Sequence, residues 1–124
     1  MKFWTKLTAL MVLILIPTMV FANETTVKIV APEKAKVGEE VTIKIEVTHN
    51  GNNFLHFTDW VWVKVNGEEY KRWEFERSDR PENEDFTLEF KLKIEGPTTI
   101  TAKGNCNMHG STGEEEFTIK IQEE

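Results

Sequence analysis

Hydrophobic and polar positions alternate along most of this chain. Val41, Ile43, Ile45 and Val47 fall on one side of a run whose other side is Thr42, Lys44, Glu46 and Thr48. That period of two marks a strand with one buried face. Phe86, Leu88, Phe90, Leu92 and Ile94 repeat the pattern, and Phe117, Ile119 and Ile121 mark a last strand. Thr26–Val30 reads as a first strand, ended by Ala31-Pro32, and Lys36-Val37-Gly38-Glu39 as a turn. Phe57–Val65 is rich in Trp and Val, and Asn66-Gly67 is the strongest hairpin signal in the chain, returning into Glu68–Glu76. Arg77–Asp85, with Pro81, reads as a charged surface connection, and Glu95-Gly96-Pro97 turns into Thr98–Lys103. Seven short strands with no persuasive helical segment predict an all-β fold, a seven-stranded antiparallel immunoglobulin-like β-sandwich. Trp60, Trp62, Trp73, Phe86 and Phe90 are expected to pack in the core and on the sheet faces.

Two connections break the alternation. His49-Asn50-Gly51-Asn52-Asn53-Phe54-Leu55-His56 is crowded with Asn and Gly, as expected of a loop that needs positive φ. Gly104-Asn105-Cys106-Asn107-Met108-His109-Gly110 holds the only cysteine and one of three histidines. If successive strands run antiparallel, their connections alternate between the two ends of the sandwich. These two loops follow the second and sixth strands, so both lie at one end. His49, His56, Cys106 and His109 are therefore predicted to cluster there. No histidine or cysteine is spent anywhere else.

Imidazole nitrogen and thiolate sulfur are transition-metal ligands, and a C-x-x-H spacing lets one loop bring both to one ion. Such a donor set suits iron, zinc or copper and excludes calcium and magnesium as natural occupants. A closed structural zinc site is one alternative. A blue-copper site is another, although Met108 lies between Cys106 and His109 rather than beyond the histidine. The plain alternative is an accessory immunoglobulin-like domain with a buried thiol and incidental histidines.

Charge and the N-terminus add bounds. Lys2 and Lys6 precede an apolar run from Leu7 to Val20, and Val20-Phe21-Ala22 offers a cleavage site before Asn23. Residues 1–22 are expected to be a signal peptide, with an uncleaved N-terminal anchor as the alternative, and residues 23–124 one domain. The protein is then exported, periplasmic or extracellular, with no membrane contact beyond the signal segment. The whole chain carries −6; without Lys2 and Lys6 it has 13 basic against 21 acidic residues, or −8. That balance argues against nucleic acid as a partner. A lone cysteine also cannot form an internal disulfide.

Cys106-Asn107-Met108-His109-Gly110 is similar to the C-N-x-H-G signature of the superoxide reductases, the iron domain of desulfoferrodoxin and neelaredoxin. His56-Phe57-Thr58-Asp59-Trp60-Val61-Trp62-Val63 resembles that family's H-x-I-x-W-I-x-L strand start, and His49 stands near its preceding histidine. The resemblance implies an immunoglobulin-like sandwich with a mononuclear non-haem iron site, copper or zinc ranking below iron. Cys106 would be the axial thiolate, in a catalytic role, and His49, His56 and His109 equatorial ligands. The implied reaction is one-electron reduction of superoxide to hydrogen peroxide, with an external electron donor such as a rubredoxin-like protein. Without the reaction, the same site implies a non-catalytic metal-binding protein or electron carrier. The family's first ligand histidine, in a K-H-V-P element, has no counterpart here. Thr25 or Thr26 stands at that place, with Glu24 close by as a candidate oxygen ligand. The His49–His56 loop lacks the family's proline and its Glu-Lys type residue, and Ser111-Thr112 replaces the usual apolar pair.

Overall fold

A computed structural model describes residues 24–111 and 113–123. The segment read as a signal peptide lies outside the described residues. Among the described residues eight strands form two sheets: β1 (Thr26–Val30), β2 (Lys34–Ala35), β3 (Glu40–Thr48), β4 (Thr58–Val65), β5 (Glu68–Glu74), β6 (Asp85–Lys93), β7 (Thr98–Cys106) and β8 (Glu115–Ile121). The smaller sheet has the order β1-β3-β6 and the larger β2-β8-β7-β4-β5. The fold is the expected all-β sandwich with one strand more than the seven predicted. β2 is only two residues long and pairs parallel to β8, Lys34 opposite Lys120 and Ala35 opposite Ile121. Two residues are too few to show a period, and their partner lies at the far end of the chain.

The alternating residues of β3 are buried and exposed in strict turn, and the facing sheet offers Val61, Val63, Ile100, Ala102 and Ile119. Ile43, Ile45, Ile100 and Ile119 are fully buried. Each such side chain stabilises the fold by about 1.5–3 kcal/mol relative to exposure. β5 lies at one edge of the larger sheet, where Tyr70 and Trp73 pack on Phe90. Trp60 and Trp62 lie half-buried beside the inward Val61 and Val63. Their rings stack on one another at 6.5 Å, with Arg72 and Lys64 over them. They cover a sheet face rather than fill the core.

Strand direction determines what the ends hold. β3 ends, β4 begins, β6 begins and β7 ends at one pole; the Asn66-Gly67 turn and the Gly96 turn close the other.

Candidate metal centre

Two of the four donor residues are aimed inward by strand alternation. On β3 the buried positions are Val41, Ile43, Ile45 and Val47, and the next inward position is His49, which is 0% exposed. On β7 they are Thr98, Ile100, Ala102 and Gly104, and the next is Cys106, 1% exposed. Cys106 is thus the last residue of a strand, where the sequence predicts a loop after Lys103. Gly and Asn discourage a strand assignment, but Gly104 is there for space. A Cβ on it would lie 2.7 Å from Thr25 Cγ2 and 3.2 Å from Val27 Cγ1, where β1 crosses close to β7.

The other two donors sit on turns. The Asn53 side chain accepts from the backbone N–H of Leu55 and His56 at 2.9 and 3.0 Å, a local turn that presents the His56 ring. Gly51, with φ 104°, lies under that ring, and a Cβ there would come within 3.0 Å of His56 Nδ1. After Cys106 the chain folds back on itself: Cys106 and Gly110 exchange backbone hydrogen bonds of 2.8 and 3.0 Å, and Gly110 takes φ 82°. This places His109 beside the sulfur. Asn107 ties the two loops together, accepting from Phe57 N–H at 2.8 Å and donating to the Leu55 carbonyl at 3.2 Å. Of the loop asparagines Asn50, Asn52 and Asn53, none has positive φ; Gly51 alone bends the chain that way. Asn52 and Asn53 hold the loop with their carboxamides.

The four predicted donor residues lie at the same pole, three of them close together and His109 at their edge. His49 Nε2 lies 3.0 Å from His56 Nε2, which lies 3.0 Å from His109 Nδ1. Cys106 Sγ is 3.8 Å from His109 Nδ1 and receives the backbone N–H of Met108 and His109 at 3.4 and 3.3 Å. The ligand atoms of His49, His56 and Cys106 all lie within 4.8 Å of one another. Burial is graded: His49 and Cys106 are enclosed, His56 is half-buried and His109 is exposed. Neither Glu24 nor His109 belongs to that group of three; His109 stands at its rim, in contact with His56 and Cys106. Thr25 is buried and stands one step back, its hydroxyl 3.1 Å from that of Thr58, which lies 3.1 Å from His49 Nδ1.

This arrangement fits a transition-metal ion. A single proton on His56 Nε2 serves one of its two nitrogen neighbours well, whereas a cation beside His49, His56 and Cys106 would serve all three of those donors. Three imidazoles and a thiolate exclude the hard cations calcium and magnesium.

Comparison with known proteins points the same way. Residues 19–115 match the desulfoferrodoxin family. Superoxide reductase (neelaredoxin) from Ignicoccus hospitalis is 26% identical, with a TM-score of 0.70 over 86% of this chain and 88% of that one. The CARDB domain of a Pyrococcus furiosus protein, at 20% identity and TM-score 0.62 over 82% and 96% of the two chains, shares the fold alone. A search of curated proteins gives no match. The chain belongs to the desulfoferrodoxin family, as a member similar to the superoxide reductases.

Proposed function

We propose that this protein is a mononuclear non-haem iron protein that reduces superoxide to hydrogen peroxide, with His49, His56, His109 and Cys106 as the iron ligands. The observation that carries this is the convergence of three imidazole nitrogens at 3.0 Å steps beside a buried thiol. When bound, ferrous iron supplies the one electron that, with two protons from solvent, converts superoxide into hydrogen peroxide; an external protein donor then returns the electron.

The chain's own residues do the rest. His49 and Cys106, both enclosed, are suited to hold the ion from the protein side. The N–H dipoles of Met108 and His109 point at the sulfur, offset negative charge on a bound thiolate and fix the direction of its lone pairs. His56 and His109 face the open side, so a small anion reaches the site there without a change of fold. Residues 23–124 form the working domain, and the basic start with the apolar run Leu7–Val20 supports export to the periplasm or beyond, with residues 1–22 as the signal.

The test is anaerobic ferrous loading, mild oxidation and a visible spectrum. A thiolate-to-ferric charge-transfer band is expected, and it disappears in Cys106→Ser. A superoxide source then gives peroxide at one molecule per electron delivered by the reductant. A spectrum untouched by Cys106→Ser, or binding of zinc but no iron, would falsify the proposal.

A further inference from the structure

His49 is the one fully buried histidine, and its ring has two nitrogens. Only a bare nitrogen can bind a metal, so the position of the ring proton decides whether His49 is ready or must first rearrange. The neighbours of Asn52 settle that position. Asn52 Oδ1 lies 2.9 Å from the backbone N–H of Thr58, which can only donate. Asn52 Nδ2 lies 2.8 Å from the carbonyl oxygen of Asn83, which can only accept. The carboxamide is therefore fixed from both ends, with its oxygen towards His49. His49 Nδ1 is 2.7 Å from that oxygen. A ring nitrogen this close to an acceptor must carry the proton.

We infer that Asn52 is a positioning residue that holds His49 as the Nδ1–H tautomer, leaving Nε2 bare and aimed at the metal position before any ion arrives. The Thr58 hydroxyl, 3.1 Å from Nδ1, is the weaker neighbour, and its own bonding runs on to the Thr25 hydroxyl. The brace reaches beyond Asn52: His49 N–H donates to the Glu84 carbonyl at 2.8 Å, and Gly51 N–H to the Glu84 carboxylate at 3.2 Å. The segment at Asn83 and Glu84 thus fixes both the backbone and the ring partner of the buried histidine. The inference deepens the iron reading above, on which its metal-affinity arm rests, but its first arm needs no metal.

Two variants separate positioning from support. Asn52→Asp keeps an acceptor oxygen for His49 Nδ1 and Thr58 N–H. Asn52→Leu removes it, and both variants lose the donor to Asn83. In the metal-free protein, ring nitrogen shifts of ¹⁵N-labelled histidine are expected to show Nδ1–H for His49 in wild type and Asn52→Asp. A mixed or Nε2–H ring is expected in Asn52→Leu. Ferrous affinity is expected to fall at least tenfold in Asn52→Leu, the scale seen when an orienting partner of a metal-bound histidine is lost. In Asn52→Asp it stays within about threefold of wild type, or tightens. A wild-type His49 ring bare at Nδ1 overturns the inference, whether or not Asn52→Leu folds; so does an equal loss of affinity in both variants. An Nδ1–H ring in a wild-type protein that binds no ferrous ion supports the inference and overturns the function proposed above.

Discussion

Away from the histidines, the sandwich is closed by tight turns set by backbone conformation, with one side-chain tie across the sequence, Asn66 Oδ1 accepting from Thr99 N–H at 2.9 Å. Asn66 and Gly67 take φ 50° and 87° and reverse the chain between β4 and β5. Gly38, at φ 93°, does the same ahead of β3. A Cβ at Gly38 or Gly67 would meet nothing within 4 Å, so these glycines answer to backbone conformation alone. At the other pole, connections are held by side chains reaching across sequence. Asn107 links to Phe57 and Leu55, Asn52 to Thr58 and Asn83, and Asn105 to Asp59 at 2.8 Å. Glycine there makes room: Gly104 for Thr25, and Gly51 for His56. One pole needs little more than a chain that can turn. The other needs several loops to agree on one point in space.

That contrast is open to measurement. Ferrous loading should produce the largest change, since it acts on the pole where the four donor side chains lie. At a free iron concentration a hundredfold above Kd, the gain is about 2.7 kcal/mol, read as a rise in the unfolding midpoint. A Cys106→Ser protein should lose most of that rise, and an unchanged rise would show that iron holds elsewhere. Gly104→Ala comes next. Its new methyl lies 2.7 Å from Thr25 Cγ2, inside van der Waals contact. Overpacking of this kind costs about 1–3 kcal/mol. Because Thr25 supports Thr58 and thereby His49, ferrous affinity should drop as well. The smallest effect belongs to Gly67→Ala, at φ 87° with open space around it. A cost of about 1 kcal/mol in denaturant unfolding is expected, from the strained backbone alone. Ferrous affinity should be unchanged there; a fall would show that the two poles are coupled.

Much of this was legible in the chain. The alternation from Val41 to Val47 carries directly to a strand with one buried face, and Asn66-Gly67 to a tight hairpin. Counting antiparallel strands places three histidines and a cysteine at one end, because parity survives errors of a few residues at strand boundaries. Three things were not legible. The β2 pairing depends on a neighbour some 86 positions away, Lys34 against Lys120, with no local pattern to announce it. Cys106 as a strand end is hidden by Gly104 and Asn105, whose low strand preference is overridden by the close passage of β1. The work of Asn52 was masked by a rule that treats loop asparagines as tolerant of positive φ, when its carboxamide is engaged at both ends. Local propensity reports what a residue tolerates and says nothing of whom it meets.

The enclosure of Cys106 has a practical consequence for kinetics. It is the only thiol in the chain and 1% exposed, at the end of a strand whose loop folds back over it. An alkylating reagent therefore reacts only when that pole opens. The labelling rate of the native protein becomes a clock for local opening, separate from global unfolding. Slowing of that clock as ferrous ion is added would time how firmly the loops close around it.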